Sequence, residues 1–199
     1  MREYVLKRVA GSPDWDNIPV MPIDYQKTEA QHDIKAWAQL CWSDAGIHVH
    51  LACKEKHIRM EGTEKLDSIW EDSCLEFFIR PTEDMHYFNI EFNPNCQVFL
   101  GYSMRKPNIT RLILPNHMET FQPVVNFTQD GWEITYIVPF SLIQNFFTTF
   151  QPKSGLQFYG NCYKCGDKTP NEHYLLWNPS TSETPDYHRP QDFGCMIFE

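Results

Sequence analysis

Apolar and polar positions alternate with period two along most of the chain, and that period predicts strands. The clearest case runs from Tyr87 to Asn93. Phe88, Ile90 and Phe92 fall on one face, and Tyr87, Asn89, Glu91 and Asn93 on the other. Ile47 to Cys53 alternates in the same way, and Cys74 to Ile79 continues the theme before stopping at Pro81. Further strands are expected at 96–103, 109–114, 121–127, 132–138, 157–163, 173–177 and 194–198. Pro94-Asn95 supplies one turn, and Asp130-Gly131 ahead of Trp132 supplies a hairpin turn. Only Pro139 to Phe147 invites a helix, short and capped by Ser141. The first ~30 residues, with Pro13, Pro19 and Pro22, read as an irregular lead-in. Many short strands, Pro/Gly turns and almost no helix predict an all-β fold. The expected form is an antiparallel β-sandwich of two sheets, jelly-roll or immunoglobulin-like, with short helical segments. No repeat or linker divides the sequence, so residues 1–199 read as a single domain.

Composition narrows the function classes. With 17 Lys+Arg against 26 Asp+Glu the net charge is −9, which argues against a nucleic-acid binder, because phosphate neutralisation needs clustered cations. No apolar run approaches the ~18 residues of a membrane helix, so no membrane association is expected. Met1 to Arg8 lacks the apolar core of a secretory signal. The sequence as it stands therefore reads as cytoplasmic, or as extracellular if a signal has been removed. Aromatic residues reach 15%, and surplus Trp suits either the core or the flat apolar face of a ligand. Trp15, Trp37, Trp42 and Trp132 are expected in the core. Seven cysteines, an odd and dispersed set, suggest buried thiols and no disulfide framework. Cys162 and Cys165 have C-x-x-C spacing, but no second pair completes a zinc set, so no zinc is expected there.

Three segments carry polar and aromatic residues that could do chemistry: Ser68 to Glu76, the Tyr87 to Asn93 strand, and the C-terminal third from Phe158 to Gly194. Trp70, Asp72 and Glu76 form a Trp-x-Asp-x-x-x-Glu element entering a strand. Glu91-Phe92-Asn93-Pro94 follows, then Trp132 before Ile137-Val138-Pro139-Phe140, and a Phe193-Gly194 ending. In this order the elements resemble the family 9 carbohydrate-binding modules over residues 15–199. The resemblance implies a β-sandwich that binds a saccharide or polysaccharide non-catalytically, with a sugar ring between two tryptophans. By motif position those are Trp70 and Trp177, with a polar rim of Glu76, Asn161, Lys164 and Asn178. Lys164 stands where relatives commonly have Arg, and Arg105 and Arg111 are candidates for a mid-chain Arg. A monomer is expected.

The chemistry of the residues agrees. A pyranose offers an apolar C–H face that an indole can cover and a rim of hydroxyls that need polar partners. Two other readings compete: a glycoside hydrolase using Glu76 and Glu91 as paired carboxyls, and a haem-binding sandwich with His86, Met85 or Met104 as ligands. No cofactor and no metal residues are expected. The resemblance allows a structural calcium, for which Asp14 with Asp16, or Asp67 with Glu71 and Asp72, offer the acidic clusters. His188 is expected to be a structural hydrogen-bonding residue.

Overall fold

The computed structural model describes residues 1–26 and 33–199. The described residues form a β-sandwich of thirteen strands in two sheets. The first sheet runs β8 (Ile109–Leu112), β7 (Val98–Ser103), β6 (Tyr87–Phe92), β5 (Cys74–Arg80), β11 (Gln157–Cys165), β13 (Gly194–Phe198) and β1 (Glu3–Arg8), with β12 (Tyr174–Leu176) also beside β11. The second runs β1, β3 (Lys35–Ser43), β4 (Gly46–Lys54), β10 (Gly131–Pro139) and β9 (Val124–Phe127), with β2 (Met21–Ile23) beside β3.

One strand belongs to both sheets. Glu3 to Leu6 of β1 pair in parallel with β13, and Lys7 and Arg8 then pair in parallel with β3. All other pairings are antiparallel. The N-terminal segment is thus not the irregular lead-in expected from its prolines. Tyr4 and Leu6 alternate into the core, and Pro22 is tolerated because β2 pairs on one side only.

Strand alternation explains the core. The inward residues Leu75, Phe77, Ile79, Phe88, Ile90, Phe92, Phe158 and Cys162 of the first sheet meet Leu40, Val49, Leu51, Trp132, Ile134 and Val138 of the second. Each large side chain so buried contributes about 1.5–3 kcal/mol. Trp42 and Trp132 lie in this core as expected, whereas Trp15 and Trp37 are half-buried. The expected helix is α2 (Phe140–Phe146), but its N-cap is Pro139 and not Ser141. A second helix, α1 (His117–Phe121), takes the start of the stretch read as strand from 121, with Asn116 as its N-cap. The Asp130-Gly131 turn joins β9 to β10 as anticipated. No helix among the described residues is long and apolar enough to cross a membrane.

Candidate functional site

The outer face of the first sheet is the polar one. In β5 and β6 the residues alternating with the core set are Cys74, Glu76, Phe78, Asn89 and Glu91, and the register places Glu76 directly opposite Glu91. Across the other edge of β5, Glu76 faces Tyr163 and Cys74 faces Cys165. Beyond β6, Glu91 faces Phe99. Glu76, Glu91 and Cys165 therefore lie on one floor, beneath a cleft of about 360 Å³. That is near the lower end of small-ligand sites, ~300–1,000 Å³.

The walls are aromatic. Trp70 sits on a single 3₁₀ turn (Ile69–Glu71) just before β5, half-exposed, with its ring edge-on to Phe99 at 5.4 Å. Tyr174 and Tyr187 line the cleft from the β11 side. Tyr187 stacks on Tyr163 at 4.1 Å, and its hydroxyl donates to the Lys164 carbonyl at 3.0 Å. Asp167, Lys106, Asp186 and His188 add polar groups to the lining. His188 shares a 2.8 Å hydrogen bond with Tyr87, which is the structural role expected of it, although it also borders the cleft.

Neighbouring loops are fixed by groups that do not touch the cleft. Asp72 is buried and accepts from the backbone of Glu61 and Gly62 at 3.1 and 2.9 Å and from Asn93 at 2.9 Å. This anchors the turn that carries Trp70. Arg111 lies over Phe99, and its guanidinium donates to the carbonyls of Lys65, Leu66 and Asp67 at 2.6–3.2 Å. On the floor, Asn89 donates to Glu91 at 2.7 Å. Gly101 is required opposite Asn89, since a Cβ there would lie 2.1 Å from the Asn89 amide oxygen.

The floor is electrostatically unusual. Glu76 is 2% exposed, and its one side-chain hydrogen bond among the described residues is from the Cys165 thiol at 2.9 Å. Burial, reinforced by Cys165 and Glu91, pushes its carboxyl well above the ordinary range. Burial also raises Glu91, to about 7, against the opposing pull of the Asn89 hydrogen bond and Lys106. His188 is held down to about 3 by burial and by Lys106, so it is neutral at physiological pH.

Of the residues expected to contact sugar, the structure puts Trp70 and Glu76 on the cleft and moves the others away. Trp177 is 3% exposed and lies in the core, edge-on to Tyr4 at 6.4 Å. The cause is strand parity: Tyr174 and Leu176 point outward, so Leu175 and Trp177 point in. Gly194 accommodates the indole, because a Cβ there would approach it to 2.3 Å. Lys164 points inward by the same rule, where it meets Glu55 at 3.0 Å and His173 at 2.8 Å. Burial is the largest influence on the Lys164 ammonium and lowers it, but Glu55, Cys53 and Cys165 together outweigh it and the net shift is upward. Asn161 and Asn178 bind each other. The Asn161 amide donates to the Asn178 carbonyl at 2.9 Å and accepts from its N–H at 2.8 Å. Asn178 holds the backbone of Arg2 and Asp192 with the rest of its amide. Glu91, Phe99, Tyr174 and Tyr187 are among the lining residues missing from the expected saccharide-contact set, Glu91 being considered as a paired carboxyl. Cross-strand register with Glu76 leads to Glu91, and Tyr174 has the parity opposite to that of the inward Trp177.

The acidic clusters considered for calcium do not converge. Asp67 accepts from the backbone of Thr63 and Glu64, Glu71 pairs with Lys168, and Asp14 accepts from Asn17. The C-x-x-C pair is split between faces: Cys162 is in the core and Cys165 on the outer floor. Met85, His86 and Met104 line a separate groove beside the cleft, where His86 stacks on Tyr102 and the Met85 sulfur accepts from Arg80.

The model of carbohydrate-binding family 9 matches residues 14–198. Among curated proteins none matches the sequence. Among solved structures, a candidate carbohydrate-binding protein from Bacteroides uniformis ATCC 8492 is similar at 23% identity, with a TM-score of 0.85 over 100% of this chain and 99% of that one. A family 9 module from Caldicellulosiruptor kristjanssonii in complex with glucose is similar at 12% identity and a TM-score of 0.69, covering 100% of this chain and 96% of that one. Its complex with cellotriose gives 11% identity, a TM-score of 0.69, and coverage of 100% and 94%.

Proposed function

The chain belongs to carbohydrate-binding family 9, and from that premise we propose that it binds a neutral saccharide without cleaving it, holding one ring between Trp70 and Tyr187 above Glu76 and Glu91. The observation that carries this reading is the pairing of aromatic walls with a buried polar floor in one cleft. The aromatic rings supply apolar area for the C–H faces of a pyranose. Glu76, whose carboxyl burial shifts towards the protonated form, can donate as well as accept. Glu91, near half-ionised at pH 7, can accept from a hydroxyl. Asp167, Asp186 and Lys106 stand at the rim for the outer hydroxyls.

Charge selects the ligand class. A uronic acid would bring its carboxylate towards Asp167, Asp186 and Glu91, against Lys106 alone among the lining residues. Like charges so placed cost several kcal/mol when desolvated. The glucose and cellotriose bound by the Caldicellulosiruptor module support a neutral gluco-configured ligand.

The same floor argues against hydrolysis. A retaining glycosidase needs one carboxyl ionised as nucleophile and the other protonated as acid, in environments that separate them. Here burial is the main influence on both carboxyls and drives both upward, so neither is held ionised below the ordinary range as a nucleophile would be. Titration calorimetry with glucose, cellotriose and glucuronate tests the reading. Binding of the neutral sugars is expected, with glucuronate at least ~30-fold weaker, about 2 kcal/mol. Equal or tighter glucuronate binding contradicts the neutral class. Reducing sugar released from cellotriose, and lost in Glu76→Gln, contradicts the non-catalytic assignment.

A further inference from the structure

Beneath the cleft, three potential metal ligands meet at one point. Cys74 and Cys165 are directly opposed across β5 and β11, and Glu76 is two residues along β5 on the same face. One ligand atom from each lies within 4.8 Å of the other two, and all three residues are buried. Among the described residues this is the one such grouping of three. We propose that Cys74, Cys165 and Glu76 form a binding site for a thiophilic divalent cation, zinc being the ion that fits the donor set. The inference does not depend on saccharide binding.

The geometry needs little adjustment. Two sulfurs bound to one zinc at ~2.3 Å each stand roughly 3.8 Å apart, and a carboxylate oxygen completes the set at ~2.0–2.2 Å. The Cys165 sulfur is already 2.9 Å from a Glu76 oxygen. Zinc entry displaces the thiol protons of Cys74 and Cys165, and any carboxyl proton on Glu76, to solvent. Two thiolates and a carboxylate then surround the cation. Glu76 and Cys165 border the cleft while Cys74 lies behind them, so the fourth position of a tetrahedral ion opens to the cleft and takes water or a ligand oxygen.

Two observations distinguish this from ordinary buried thiols. A cysteine used as a small hydrophobe sits among apolar groups, as Cys162 does in the core. Cys74 and Cys165 instead share their space with a carboxyl. That carboxyl is buried with a thiol as its hydrogen-bond partner and no Lys or Arg paired to it among the described residues. The sequence hides the arrangement, because the C-x-x-C spacing pairs Cys165 with the wrong cysteine.

The test uses the full chain, stripped with a chelator and kept reduced by a phosphine. Zinc is titrated against a chromophoric chelator. One equivalent is expected to bind, at least 100-fold more tightly than to the Cys74→Ser/Cys165→Ser variant, while Cys162→Ala retains the affinity. A second measurement needs no variant. One equivalent of Cd²⁺ added to the unmodified protein is expected to produce thiolate-to-metal charge-transfer absorption that saturates at that ratio. Absence of this absorption, or equal zinc affinity in wild type and the double serine variant, overturns the proposal.

Discussion

Two buried clusters of charge lie back to back across β5 and β11, and they are built in opposite ways. On the inner side, Lys164 meets Glu55 at 3.0 Å and His173 at 2.8 Å, and its ammonium also donates to the Cys165 carbonyl at 2.8 Å. On the outer side, Glu76 and Glu91 face each other with a thiol and an amide as their hydrogen-bond donors. Burial is equal on both sides, so burial does not separate structure from function. Partnership does. The inner cluster pairs its carboxylate with a cation and ties the two sheets together, since Glu55 follows β4 and Lys164 lies on β11. The outer cluster leaves carboxyl oxygens turned to an aromatic cleft, with capacity to spare for a ligand.

The largest expected effect lies on the inner side. Lys164→Met leaves Glu55 buried without its cation, and a loss of about 3–5 kcal/mol of stability is expected by denaturant unfolding. Adding Glu55→Gln should recover much of that loss. A double variant as unstable as the single one would show that the pair is not a unit.

On the outer side, Tyr187→Ala removes one proposed wall of the cleft. A loss of about 2 kcal/mol in saccharide binding, roughly 30-fold, is expected by calorimetry. Binding unchanged in this variant would return the second wall to another residue.

The remaining effect is a pH slope. The Glu91 carboxyl is raised to about 7 in the folded protein, above its ordinary value, so the native state holds a proton that the unfolded chain releases. Stability from this group is present at low pH. It falls as pH rises through roughly 4.5 to 7 and stays lost above that window, by at most about 3 kcal/mol. Glu76 acts in the same sense towards higher pH. Glu91→Gln should flatten the slope and be more stable than wild type at pH 8. An unchanged slope in melts from pH 4.5 to 8 would show that Glu91 ionises normally.

The sequence made the fold legible because period-two alternation, turn residues and the scarcity of helix all agree. It was less informative at the N-terminus, where prolines in the loops obscured β1, a strand whose two parallel partnerships join the sheets. At the cleft, the placement of Trp70 and Glu76 was recoverable from a local motif, since they lie on one turn and the strand after it. The burial of Trp177, Lys164, Asn161 and Asn178 away from the cleft was not. Their residue types suit a sugar site, but which face they occupy depends on the register of β11 and β12, and that is set by pairing with distant strands. One step of parity separates Trp177 in the core from Leu176 on the outer face. Tyr187 lies in an irregular segment after β12, where no period exists to place it.

Comparing Trp70→Ala with Trp177→Ala by saccharide calorimetry and thermal melts tests the central claim most directly. With Trp70 on the cleft wall, its truncation should cost about 2–4 kcal/mol of binding, roughly 30- to 1,000-fold, with little change in melting temperature. With Trp177 in the core, its truncation should cost about 3–5 kcal/mol of stability, and the protein that remains folded should bind with near-normal affinity. Normal saccharide affinity in folded Trp70→Ala would contradict the account.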